Sequence, residues 1–142
     1  MRIVRFLPEH LGQIRLQFAQ REFADLIGNP EYANALALAG PCFTALVDEH
    51  PVACAGLQVF HPGRAEGWAL LGREARAHLR PMTRAMRGFL DTCGFRRIEI
   101  RVATEFDAGH RWASMLGFQP EGPELKAYAR DGSGVIPYVR LT

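Results

Sequence analysis

Chemistry in this chain has to come from a few residue types at a few positions. Arg73, Arg76, Arg80, Arg84 and Arg87 fall in one short stretch with only Glu74 opposing them. Guanidinium groups concentrated in this way can hold phosphates by charge and bidentate hydrogen bonds, or can form a solvated face. Glu99 lies within the alternating run Arg97-Ile98-Glu99-Ile100-Arg101-Val102, and Glu105 lies just past it. A carboxylate so placed can take a proton directly or through water, or can pair across strands with arginines. Glu66 is a third acid of this kind. Tyr128 and Tyr138 could donate protons, or could be core residues with satisfied hydroxyls. His10, His50, His61, His78 and His110 are too scattered for a metal site, and no Ser-His-Asp or Cys-His arrangement has supporting context. Cys42, Cys54 and Cys93 lie among apolar residues without a C-x-x-C pair, which points to reduced, buried thiols in a cytosolic protein.

The elements that must position these residues follow from periodicity and punctuation. Met1 to Phe6 reads as a strand. Pro8 opens a helix whose stripe of Leu11, Ile14 and Phe18 runs toward Ile27 and stops at Gly28. Asn29 caps a second helix, Pro30 presets its first turn, and Gly40-Pro41 ends it. Cys42–Val47 and Val52–Phe60 are antiparallel strands around the turn Asp48-Glu49-His50-Pro51. Gly67–Gly72 reads as a central strand flanked by apolar residues. Met82, Met86, Phe89, Leu90 and Cys93 form one face of a helix that Gly94 ends. Arg97–Val102 is a strand, and a helix runs from a cap at Asp107 to Gly117. Leu125–Arg130 and Val135–Leu141, around Asp131-Gly132-Ser133-Gly134, suggest a closing hairpin.

With 142 residues, 48% hydrophobic and 23% charged, the chain is of ordinary globular composition and fits a single domain over 1–142. A net charge of +2 argues against nucleic acid as a partner through bulk charge. No apolar stretch approaches a membrane span, and the start shows no signal-peptide core, so a cytoplasmic protein without membrane contact is expected.

The order of elements, with Ala113-Ser114-Met115-Leu116-Gly117-Phe118-Gln119-Pro120-Glu121-Gly122 closing the last helix, resembles the GNAT family of acyl-CoA-dependent N-acyltransferases across nearly the whole chain. His110-Arg111-Trp112-Ala113, and Tyr128-Ala129-Arg130-Asp131-Gly132 before Tyr138-Val139-Arg140, are most similar to a divergent branch found in tailed phages and prophages. That branch includes proteins described as internal virion or morphogenesis components.

The resemblance implies an α/β (α+β) fold: a mixed, mostly antiparallel twisted sheet of six to seven strands, with helices on both faces and a central β-α-β crossover. It implies acetyl-CoA as cofactor, with pantetheine amides pairing to free backbone groups along Trp68, Ala69, Leu70 and Leu71. The family's Q/R-x-x-G-x-G/A pyrophosphate motif falls on His78-Leu79-Arg80-Pro81-Met82-Thr83, so His78, Arg80, Met82, Thr83 and Arg84 would meet the phosphates. Pro81 and Thr83 depart from the motif, and Pro81 has no N–H to donate. The family's tyrosine acid, four residues before Gly117, is replaced by Ala113. The catalytic candidates that remain are Glu99 or Glu105 as base and Tyr128 as acid. The expected function is transfer of an acetyl group to a primary amine of a small molecule or peptide. The alternative is a non-catalytic phage or prophage structural or assembly protein on the same fold. A homodimer goes with the resemblance, since GNAT relatives are often dimers, while a phage-assembly partner and a place in the virion would go with the alternative.

Overall fold

β1 (Arg2–Arg5) pairs antiparallel with β2 (Cys42–Val47), and β2 with β3 (His50–His61). The computed structural model describes residues 1–142. Its seven strands belong to one mixed sheet in the order β1-β2-β3-β4-β5-β7-β6. β4 (Arg64–Leu71) and β5 (Arg97–Ala103) run parallel, joined through α4 (Leu79–Thr92), while β5–β7 and β6–β7 are antiparallel. The chain divides into two compact units, Met1–Val59 with Gly67–Met82 and Phe60–Glu66 with Thr83–Thr142.

In the first unit the long helix expected after Pro8 is broken. α1 (Pro8–Leu11) ends at Gly12, a 3-10 segment spans Phe18–Phe23, and α2 (Ala24–Ile27) follows. The intervening backbone makes strand-type bonds: Leu16 bridges Gly72, and the Gln17 N–H donates to Leu71 O at 2.9 Å. Phe18, read as part of a buried stripe, is 75% exposed. α3 (Pro30–Ala39) forms as its punctuation demands, with Asn29 Oδ1 accepting from the Glu31 N–H at 2.9 Å. Phe6, Leu11, Ile14, Leu36, Cys42, Cys54 and Leu70 form the core here, and Trp68 meets Phe6 edge-on at 5.8 Å.

The β2–β3 connection is tighter than the expected four-residue turn. Only Asp48 and Glu49 lie outside the Val47↔His50 pair, at φ 49° and 62°, the twisted two-residue hairpin geometry. Pro51 is accommodated within β3 by a bulge, where the register passes from Ala45↔Ala53 to Leu46↔Pro51.

In the second unit α5 (Asp107–Met115) packs on β5, and β7 (Val135–Leu141) pairs with β5 from Arg97↔Leu141 to Ala103↔Val135. The expected hairpin partner of β7 is not a strand. Leu125 makes one bridge to Val135, residues 126–134 are turns and loop, and the other partner of β7 is the short β6 (Gln119–Pro120). Gly94 and Gly117 end their helices at φ 86° and 90°, as helix-terminating glycines.

Candidate active site

β4 is the element on which the expected cofactor site depends. Its ladder with β5 consists of Arg64↔Arg97, Ala65↔Ile98 and Glu66↔Glu99, and ends there, while β4 itself runs on to Leu71. Along a strand the backbone groups of successive residues point to opposite edges. The Gly72 N–H donates to Val52 O of β3 at 2.7 Å, so Ala69 and Leu71, of opposite parity, present their groups away from β3. That edge was expected to be free, and it is not. Gln20 Nε2 donates to Ala69 O at 2.7 Å and Gln20 Oε1 accepts from the Leu71 N–H at 2.9 Å. Leu71 O is taken by the Gln17 N–H. The side-chain amide of Gln20 thus does for β4 what a peptide unit of a neighbouring strand would do. Nothing in the sequence marks this glutamine, because its partners lie about fifty residues away. Trp68 and Leu70 are packing residues of the first unit's core.

The phosphate segment also differs from expectation. Arg73–His78 forms a 3-10 helix that passes directly into α4 at Leu79, so α4 continues a helical run and has no separate N-terminus entered from extended backbone. Where the helical run does begin, the N–H groups of Gly72 and Arg73 are bonded to Val52 O and Arg15 O. Met82 and Thr83 are buried, and the Thr83 hydroxyl accepts from Trp112 Nε1 at 2.7 Å. Arg73, Arg76, Arg80 and Arg84 are exposed and pair with no carboxylate, because Glu74 is engaged by Arg15 at 2.9 Å. His78 is half-buried at the end of the 3-10 helix. Arg87 donates to Met115 O at 2.7 Å.

The acids part company. Glu99, expected on a solvated face, is 5% exposed and accepts from Arg64 through both carboxylate oxygens and from Arg97 Nε at 2.8 Å. Hydrogen bonding to Arg64 above all, then to Arg97, outweighs burial and holds its carboxyl at a pKa of about 2. With both oxygens held by guanidinium groups, the carboxylate is a feeble proton acceptor. Glu105 is exposed in the turn after β5. Tyr128, expected on a closing strand, lies in the loop and is 51% exposed, with its ring over the Arg101 guanidinium at 5.7 Å. Glu66 is only partly covered, and its ion pair is with Arg101 at 4.0 Å.

His110, read as a surface or capping residue, is tied into the interior. Its Nε2 meets the Thr104 carbonyl at 2.9 Å and so must carry the proton, which leaves Nδ1 to accept from the Tyr138 hydroxyl at 2.8 Å. Burial pushes the Tyr138 hydroxyl up, and the pair is a satisfied core contact. A shallow apolar depression lined by Arg5, Phe6, Gly40, Pro41 and Cys42, among others, includes none of the candidate residues. No helix is long and apolar enough to cross a membrane.

Comparison with known proteins shows the fold. No protein-family profile matches the chain, and no curated protein matches it in sequence. Among solved structures it is similar to Ard1 from Thermoplasma volcanium, at TM-score 0.79 and 15% identity, over 99% of this chain and 97% of that one. It is also similar to the ribosomal-protein-alanine N-acetyltransferase from Brucella melitensis, at TM-score 0.73 and 12% identity, over 100% of both chains. An acetyltransferase of the GNAT family from Streptococcus pneumoniae matches at TM-score 0.68 and 14% identity, over 99% and 98%. The mixed α/β architecture is that of GNAT acetyltransferases.

Proposed function

We propose that this protein is an acyl-CoA-dependent N-acyltransferase that grips the donor's phosphates with arginine side chains in place of a glycine loop. The observation that carries this reading is the exposed, acid-free set of Arg73, Arg76, Arg80 and Arg84 directly after β4, in the fold of N-acetyltransferases. These groups fit a pyrophosphate by charge and bidentate geometry. The β4 edge at Ala69 and Leu71 suits an amide-bearing chain only once Gln20 withdraws.

When bound, acetyl-CoA would supply a thioester whose carbonyl an amine can attack, the C–N bond forming as the C–S bond breaks and coenzyme A leaving as a thiol that takes up the proton the amine gives up. The protein's own work is then to hold the acceptor and relieve it of a proton. Glu66, the last β4 residue of the β5 ladder, is the carboxylate best placed for this, since its oxygens are not spent on short ion pairs as those of Glu99 are. Titration calorimetry with coenzyme A at near-physiological salt tests the reading. Binding should weaken by about tenfold or more in R80A/R84A, with a flatter salt dependence. No heat with the unaltered protein at high concentration would overturn it.

A second reading, a non-catalytic structural or assembly protein on this fold, is favoured by the Gln20 contacts and by Pro81 and Ala113. The phage-like segments His110–Ala113 and Tyr128–Gly132 go with it. The same calorimetry separates the two.

A further inference from the structure

Arg101 is short of partners in a way its neighbours are not. Arg64 and Arg97 both bond Glu99 at short range, two bonds to Oε2 and one to Oε1, and take most of its acceptor capacity. Arg101, with its side chain 21% exposed, is left with Glu99 at 3.5 Å and Glu66 at 4.0 Å, neither a good hydrogen bond, and its Nε is buried with no acceptor. Arginine presents five N–H donors in a rigid fork, and leaving them unpaired away from water is unfavourable unless a ligand completes them.

What covers Arg101 is a loop held in a set shape. Leu125 and Val135 exchange backbone bonds of 2.8 and 3.1 Å, and Ala127 is in the left-handed region at φ 54° although it is not glycine. This brings the Tyr128 ring over the Arg101 guanidinium, while the ring itself stays half exposed. Beside it Glu66 offers a negative charge, so β4 and β5 present one acid and one under-used guanidinium side by side at the end of their ladder.

We propose that Arg101 receives a carboxylate of the acceptor, and that the acceptor is therefore an amine bearing a carboxylate, of the amino-acid type, with its ammonium at Glu66 and its carboxylate under Tyr128. The fate of the amine rests on the acyltransferase reading, whereas the anion site does not. Matched probes, L-phenylalanine against L-phenylalaninamide and glycine against glycinamide, are compared as acceptors with acetyl-CoA in the unaltered protein, R101Q and R101K. Taking the acid-to-amide ratio of each protein relative to R101Q cancels the intrinsic reactivity of the amines. The unaltered protein should favour the acids by about tenfold or more, with R101K in between.

Independently of turnover, the Arg101 Nε–H resonance of 15N-labelled protein, assigned by its loss in R101K, should shift with L-phenylalanine and not with its amide. Y128A, altered at a half-exposed position, should weaken that shift if R101Q does not fold. Turnover without acid preference, or no Nε–H shift with either amino acid, overturns the proposal. A shift without any turnover upholds the anion site and removes the acyltransferase reading.

Discussion

Glu99 stays charged in a nearly dry position because Arg64 and Arg97 replace the water it gave up. Its folded-state pKa of about 2 lies below the ordinary 4.5, so the unfolded chain binds the more protons between those values. The stabilisation is complete above pH ~4.5 and is lost as pH falls toward ~2, a swing on the order of 3 kcal/mol for a group of this shift. Urea denaturation at pH 7 and pH 3 should show this loss, and E99Q should lack it while being less stable at pH 7. Cys54 behaves oppositely. Burial first of all pushes its thiol up to about 12, and Cys42 is also raised by burial. At pH 8, maleimide should label Cys93 before either, and Cys54 only on unfolding, as read by mass spectrometry of the native protein.

At the scale of elements, local punctuation proved trustworthy where partners are close in sequence. Asn29-Pro30 and Gly40-Pro41 bound α3 as they should, and N29A should cost about 1 kcal/mol in chemical denaturation through loss of the cap. The strands β1, β2 and β5 were legible from apolar and β-branched patterning. The broken segment after α1 was not, because its helical spacing is overridden by strand-type bonds that Arg15 and Gln17 make with Arg73 and Leu71, at and just past the end of β4. Nor was the length of the helical run before α4, since Arg73–His78 carries no apolar period. At the site, the arginine concentration could be read directly. Glu99's three guanidinium neighbours could only be suspected, and Gln20's role depends on a contact no local pattern encodes. One element contact offers a sharp check. A Cβ on Gly109 would stand 2.5 Å from Phe106 and 2.8 Å from Val102, so G109A should destabilise α5 against β5 by about 1–3 kcal/mol.

For the molecule as a whole, a fold shared at 12–15% identity leaves function to the side chains. Gln20 is the residue on which the two readings diverge. Q20A forfeits three hydrogen bonds, two to β4 and one from Gln17 Nε2, about 1–3 kcal/mol, and should lower Tm by a few degrees. If the arginine-gripped donor binds along β4, the same change should raise coenzyme A affinity by about tenfold, because the Gln20 amide need no longer be displaced from Ala69 and Leu71. An unchanged or weaker affinity in calorimetry would favour the assembly reading. Substitutions of this kind erode folding, and the β2–β3 hairpin supplies a remedy. Asp48 and Glu49 adopt dihedrals that asparagine and glycine occupy at lower cost, so exchanging the pair for Asn-Gly should create a sturdier parent chain. In such a background, variants that would otherwise aggregate during purification become accessible, and mutational tolerance is widened without touching any proposed ligand contact.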